Sequence, residues 1–158
     1  MNWWKRATSI IPFSVDDIDT EYETDPYDLA DQAESVFQES GIRPDSSKEL
    51  SHLAIEDGQV IGAVSSGWSN EQGYEEEYVH VFSFDISVKP EFRGKGLVGI
   101  KLIQEAIDHY ESEKEIYGVK TMMRLWVVNP RLIPILENRY GFDIESSYSN
   151  GSAHMVRY

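Results

Sequence analysis

The chain has 158 residues, 41% hydrophobic and 27% charged, with a formal net charge of −14 and no cysteine. That length supports one good core and excludes two ordinary domains, so a single domain over residues 1–158 is expected. Lack of cysteine removes disulfides, thiolate nucleophiles and zinc ribbons, and His52, His80, His109 and His154 lack metal-ligand spacing, so no metal is expected.

The opening "MNWWKRATSIIPFSVDD" has a short apolar run broken by Pro12 and no small-residue cleavage site. No stretch approaches 18 apolar residues, so a cytoplasmic protein without membrane contact is expected. A strand is predicted near residues 6–13, followed by the acidic loop "DDIDTEYETD". Asp25-Pro26 then reads as a cap with proline in the first turn, and Leu29, Ala33, Val36 and Phe37 recur at helical spacing until Gly41. "IRPDSSKEL" reads as a loop or a short second helix.

Asp57-Gly58 inside "HLAIEDGQVIGAVSSGW" predicts a hairpin with strands at about 50–56 and 59–68. "SNEQGYEEE" reads as a loop. Tyr78 to Val88 is a long strand with His80, Phe82, Phe84, Ile86 and Val88 on one face, and Val79, Val81, Ser83, Asp85 and Ser87 on the other. An amphipathic helix over about 98–115 follows, marked by Leu102, Ile103, Ala106, Ile107 and Tyr110. "MMRLWVV" reads as a buried strand, Pro130 opens a helix that Gly141 stops, and a last hairpin turns at Asn150-Gly151. The order β-α-β-β-β-α-β-α-β-β gives a mixed α/β sheet.

Charge is divided along the chain. Residues 15–77 hold 18 acids against Arg43 and Lys48, net −16, whereas residues 78–158 hold 10 acids and 10 bases. Such an acidic first half repels nucleic acid and attracts cations, though a solvated surface explains it equally.

The basic cluster lies in "FRGKGLVGIKLI", where Gly94, Gly96 and Gly99 match a dinucleotide fingerprint on spacing alone. Context opposes that match: Lys89 to Arg93, with Pro90, separate strand from glycines, and no acid for a ribose follows at the required distance. A Walker loop needs Lys-Ser/Thr after its last glycine, and Ile100-Lys101 stands there instead.

"VKPEFRGKGLVGIKLI" resembles the acetyl-CoA segment of the GCN5-related N-acetyltransferases, whose motif is Arg/Gln-x-x-Gly-x-Gly/Ala. "EDGQVIGAV" and "LWVVNPRLIPILENRYGF" resemble two further segments of that family, so the resemblance covers about residues 50–145 in order. It implies one N-acetyltransferase-like domain: a mixed, mostly antiparallel sheet flanked by helices, splayed between its fourth and fifth strands. Carried over residue by residue, it implies that the amides of Gly94, Gly96, Val98 and Gly99 face a pyrophosphate, with Arg93 and Lys95 near its oxygens. Backbone groups of Ile86 and Val88 would pair with the pantetheine arm, and Asn129 would stand where acetyl-CoA enters. Val98 is a departure, because the family has Gly or Ala there. An anion site at such a loop also follows from aligned N–H groups and the helix dipole.

The resemblance leaves the chemistry unevenly filled. Phe82 occupies the usual base position, with His80 two residues earlier on the same face. Glu137 falls at the usual acid position counted from Gly141, and Leu136 counted from Asn129. Tyr140, one turn beyond Glu137, substitutes if Pro134 distorts the helix. His80, Glu137 and Tyr140 are therefore the catalytic candidates, with His154 and Tyr158 as further options. Asp85 is a structural acceptor if its face is buried.

The implied activity is acetyl transfer from acetyl-CoA to a primary amine by direct attack in a ternary complex. The acceptor is expected to be cationic: a polyamine, an aminoglycoside-like amine, or a lysine or N-terminus of a basic protein. The acids of "DDIDTEYETD" and "EQGYEEEY" are expected to border it. The alternative is a non-catalytic protein-binding module that uses the acidic half. A homodimer is left open, as is the role of Trp3-Trp4.

Overall fold

Asp57 and Gly58 both take positive φ, 51° and 74°, as a two-residue type I′ hairpin turn requires. They join the second and third of seven strands in a computed structural model that describes residues 8–14, 25–44, 47–72, 78–93, 97–118 and 120–158. The elements are β1 (Ser9–Pro12), α1 (Pro26–Glu39), β2 (Glu49–Glu56), β3 (Gln59–Gln72), β4 (Tyr78–Val88), α2 (Val98–Tyr117), β5 (Thr121–Val127), α3 (Ile133–Tyr140), β6 (Asp143–Ser147) and β7 (Ala153–Arg157). Short 3₁₀ turns at Pro90–Phe92 and Pro130–Leu132 precede α2 and α3. Strand order is β1-β2-β3-β4-β5-β7-β6, so the last strand inserts between β5 and β6. The β1–β2, β2–β3, β5–β7 and β6–β7 pairings are antiparallel, and β4–β5 is parallel from His80↔Thr121 to Phe84↔Leu125. The mixed, mostly antiparallel α/β sheet is thus the one expected.

Several boundaries differ from expectation. β3 runs to Gln72, because Arg124 Nη1 donates to Glu71 Oε1 at 2.6 Å and Trp68 is held among aromatic rings, so a stretch read as loop stays extended. α2 reaches Tyr117, whose ring stacks on Trp68 at 4.2 Å. β5 is not buried throughout: Trp126 and Val128 are exposed and Arg124 half-exposed, while Met123, Leu125 and Val127 are buried. Its alternation marks one covered and one open face. Pro134 lies in the first turn of α3, where its missing N–H costs nothing, so it does not distort the helix. No helix occurs among the described residues of "IRPDSSKEL". Trp3-Trp4, most of "DDIDTEYETD" and the "GYEEE" of the second acidic segment lie outside the described residues.

The chain divides into two compact units, Met1–Ser66 with Asp85–His109 and Gly67–Phe84 with Tyr110–Tyr158. In the first, Asp25 caps α1 by accepting from Tyr27 N at 3.0 Å, and Leu29, Ala33, Val36 and Phe37 pack on Phe13, Leu53, Val60 and Ala63. Each of the leucine, valine and phenylalanine side chains contributes roughly 1.5–3 kcal/mol on full burial. Gln32 ties the helix to β3 by accepting from Val60 N at 2.9 Å. Gly62 lets α2 approach, since a Cβ there would meet Leu102 Cδ1 at 2.9 Å and the Ser87 carbonyl at 3.1 Å. Asp85 is buried and paired with Lys48 Nζ at 2.9 Å, a structural acceptor.

In the second unit, Val81, Met122 and Val156 form a small core with Val79. A separate aromatic cluster joins Trp68, Phe82, Tyr110 and Tyr117, and Tyr110 shares a 2.7 Å hydroxyl contact with Thr121. The β6–β7 turn is seated on the 3₁₀ turn before α3: a Cβ on Gly151 would meet Pro130 Cγ at 2.9 Å.

Candidate active site

The first unit carries the described residues around the glycine loop, at which an anion site is expected. β4 ends at Val88, and Lys89 N donates to the Ile61 carbonyl at 2.7 Å, fixing the strand exit to β3. Proline at the first helical position then starts the 3₁₀ turn Pro90–Phe92, which carries the chain to Arg93. The Arg93 guanidinium turns back: Nε donates to the Val88 carbonyl at 2.9 Å and Nη2 to Ser40 Oγ at 2.8 Å. Ser40 caps α1 and its hydroxyl also meets that of Ser87, which donates to the Val36 carbonyl at 3.1 Å. Arg93 is therefore anchored at two points, on the end of β4 and on the end of α1. Gly94, Lys95 and Gly96, named from the motif, lie outside the described residues.

The chain re-emerges at Leu97, a non-glycine residue with φ +57° and 60% exposure, immediately before the 20-residue α2. Left-handed geometry at a leucine costs on the order of 1–3 kcal/mol and marks a constrained entry into the helix. Lys101 N donates to the Leu97 carbonyl at 2.9 Å, the first helical bond, so the N–H groups of Val98, Gly99 and Ile100 belong to the unpaired first turn. The Val98 side chain is 3% exposed and points into the core, leaving its amide side without the branched group. Added bulk at Gly99 would meet only Val88 Cγ2 at 3.8 Å, so packing does not demand glycine there. Ile86 is half-buried and Val88 buried at the end of β4.

His52 of β2 lies in the same unit. Its ring stands edge-on to His109 at 5.7 Å, and its Nδ1 lies 3.2 Å from Ser51 Oγ. Burial first, then the His109 charge, lowers its pKa to about 4 against a weaker opposing effect of Asp108. The imidazole is uncharged at neutral pH, so its 3.9 Å approach to Glu105 is a polar contact and not an ion pair.

The second unit carries the catalytic candidates. Asn129 is exposed and caps the 3₁₀ turn, its Oδ1 accepting from Arg131 N at 3.1 Å. Glu137 is exposed on α3. Tyr140, at the end of that helix, has Arg139 over its ring at 5.5 Å and a buried hydroxyl without a partner among the described residues. A buried, unpaired hydroxyl costs on the order of 1–3 kcal/mol unless another group meets it, which singles this oxygen out. Leu136, the other position reached by counting, is fully buried. His80 packs against Tyr117 at 5.3 Å, and its Nδ1 is also buried without a described partner. Phe82 is 1% exposed, a core residue. Nothing among the described residues joins His80 to Glu137 or Tyr140. His154 lies against Trp126 and Tyr148, and Tyr158 is 83% exposed.

Sequence reading missed Ser40, which accepts from Arg93, Ser87, which meets Ser40, and the Trp126–His154–Tyr148 group. A serine after a helix and single aromatic residues on or beside three different strands carry too little signal to reveal either. Among the described residues no group of three His, Asp or Glu has metal-holding geometry, and no helix is long and apolar enough to cross a membrane.

Known proteins agree with this layout. The sequence profile of the Acetyltransferase (GNAT) family matches residues 13–142. No curated protein sequence matches the chain. Among solved structures, a GNAT-family acetyltransferase from Streptococcus pneumoniae is 16% identical with a TM-score of 0.53, covering 96% of this chain and 98% of its own. Arabidopsis thaliana NAA60 in complex with acetyl-CoA is 13% identical with a TM-score of 0.61 over 96% of this chain and 98% of its own. An aminoglycoside 6'-N-acetyltransferase complexed with coenzyme A is 11% identical, TM-score 0.57, over 94% and 96% respectively. At such identities the structures establish the fold, and the profile, spanning most of the sequence, establishes that the chain belongs to the acetyltransferase (GNAT) family.

Proposed function

We propose that this acetyl-CoA-dependent acetyltransferase acts on a primary amine of a cationic acceptor, by direct attack of the amine in a ternary complex. The observation that carries the reading is the double anchor of Arg93 on Val88 and Ser40, which fixes the entrance to a glycine loop at the start of a long helix. Residues present fit the donor: the first-turn amides of α2 stand at a helix N-terminus, Val98 buries its side chain, and a Cβ at Gly99 would come no closer than 3.8 Å to a described atom. Gly94, Gly96, Val98 and Gly99 would supply amides to the pyrophosphate, Arg93 and Lys95 cationic surroundings, and Ile86 and Val88 backbone partners for the pantetheine. When bound, acetyl-CoA supplies the activated acyl thioester. Asn129 would line its entry.

For proton movement, Tyr140 is the proposed acid even though Pro134 does not distort α3, because its buried hydroxyl lacks a partner among the described residues and could donate to a departing thiolate. Glu137, exposed one turn earlier, would accept the amine proton through water. His80 is the alternative acceptor through its buried Nδ1. Positioning contributes the larger share of catalysis, since holding amine and thioester together removes an entropic barrier of several kcal/mol (~7 or more). The net charge of −14 supports a cationic acceptor by steering and suits basic peptides, aminoglycoside-like amines and polyamines alike. Acetylation of a panel of these amines, followed by release of free thiol, tests the reading; no thiol release above hydrolysis with any of them would reject it.

A further inference from the structure

On its open side, the second unit holds three aromatic side chains in one corner. Trp126 of β5 faces His154 of β7 across the strand register, and their rings lie 23° from parallel with centroids 6.1 Å apart. Tyr148, leading into the β6–β7 turn, stands at 73° to the His154 ring at 5.6 Å. His154 thus lies near-parallel to one exposed ring and edge-on to another. Trp126 and Tyr148 are 42% and 49% exposed, a large apolar outlay for residues that fill no core.

We propose that Trp126, His154 and Tyr148 hold a second, non-reacting ammonium group of an aliphatic polyamine, the acceptor of the acetyl transfer proposed above. This inference rests on that transfer and names its substrate class. Aromatic faces attract cations through their quadrupole, and the attraction grows when several rings enclose the charge.

The surroundings favour a cation. β6 carries exposed Asp143 and Glu145 and no base. Arg124, two residues before Trp126 on the same side of β5, is shared by Glu71 at 2.6 Å and Glu145 at 3.6 Å, so two carboxylates face one guanidinium. Those partners, the Glu71 hydrogen bond first, hold the Arg124 pKa above its ordinary value, which marks the locality as anionic. A second copy of a chain with net charge −14 is disfavoured as occupant by like-charge repulsion. Val128, just past the end of β5 and 43% exposed, offers apolar contact for methylene groups, which an aliphatic polyamine has between its charges.

The corner is also built in advance. Tyr148 N donates to the Ser152 carbonyl at 2.9 Å, and Gly151 N to the Tyr148 carbonyl at 3.0 Å. Asn150 Oδ1 accepts from Ser152 N at 3.0 Å and from Ser152 Oγ at 2.6 Å. Gly151 takes φ +87° and lies against Pro130, the residue after Asn129. A turn fixed in this way loses little freedom when a ligand arrives, which favours binding.

The test titrates the full chain with spermidine while recording the indole N–H resonance of Trp126, assigned by its loss in Trp126→Phe. Spermidine should shift it, and spermidine affinity measured by calorimetry should fall roughly three- to ten-fold in Trp126→Ala and in Tyr148→Ala, with Trp126→Phe retaining most of it. In turnover, Trp126→Ala should raise KM for spermidine by a similar factor with kcat within about two-fold, and leave KM for n-butylamine unchanged, because a monoamine has no second charge to place. An unmoved Trp126 signal, equal affinity in the variants, or an equal KM rise for both amines would overturn the proposal. So would a lysine-rich peptide that shifts Trp126 when spermidine does not. If acetyl-CoA binds and spermidine leaves Trp126 unmoved, the corner fails alone; if spermidine shifts Trp126 and no acetyl group is transferred, the transfer reading fails.

Discussion

Arg93 reaches Ser40, the residue that caps the carboxyl end of α1, and donates from Nη2 to its hydroxyl at 2.8 Å. With the second bond from Nε to Val88, this side chain acts as a fork across the entrance of the glycine loop. Lysine lacks that fork. Arg93→Lys is expected to weaken acetyl-CoA binding about ten-fold, and Ser40→Ala about three-fold, from the loss of one or two hydrogen bonds. Calorimetric titration of both variants checks this, and wild-type affinity in Arg93→Lys would show that the fork does not shape the loop.

Tyr140→Phe separates chemistry from packing. Its hydroxyl is buried without a described partner, so deleting it should leave stability unchanged or slightly raised. If the oxygen delivers a proton, kcat falls by roughly 10²-fold with KM for acetyl-CoA unchanged. Full activity in this variant and in Glu137→Ala would remove both residues from the proton path.

Two glycines should respond in opposite ways. Gly62→Ala forces a Cβ to within 3.1 Å of the Ser87 carbonyl, an atom fixed in the strand, and should cost about 1–3 kcal/mol in urea unfolding. Among the described residues Gly99→Ala meets only Val88 Cγ2 at 3.8 Å and should fold normally, yet lose acetyl-CoA affinity if phosphate approaches at this proposed contact. Normal affinity in Gly99→Ala would argue against that amide as a phosphate contact.

His52 gives a pH dependence with a definite sign. The folded state keeps its imidazole at a pKa of about 4, below the ordinary 6.5, so the unfolded chain binds the proton more readily. The contribution is fully present above about pH 6.5 and is lost as pH falls towards 4, on the order of 2 kcal/mol after allowance for solvent screening. His52→Asn should flatten unfolding free energy across that window, relative to the wild type.

Much of the fold was legible because its signals are local. Asp57-Gly58 set the hairpin, Asp25-Pro26 and Gly41 bounded α1, and the even and odd residues of β4 fell on the faces their pattern required. Extension of β3 to Gln72 was not legible, since it rests on Glu71 meeting Arg124, 53 residues away. The same limit hid the anchor of Arg93 at Ser40, because that serine does not differ from a solvent-exposed one until the chain folds. Pro134 shows the converse: the proline whose distortion of the helix is the condition set for Tyr140 sits in the first turn, after a 3₁₀ segment, and leaves the helix regular. For the catalytic candidates, counting along the chain named Glu137, Leu136 and Tyr140, and only burial of Leu136 and of the Tyr140 hydroxyl separates them.

Calorimetric titration of the full chain with acetyl-CoA tests the account most directly. Binding at one site per chain in the micromolar range, lost in large part in Arg93→Lys and unaffected by Tyr140→Phe, is the predicted result. No detectable heat at millimolar acetyl-CoA, from a chain shown to be folded, would contradict it.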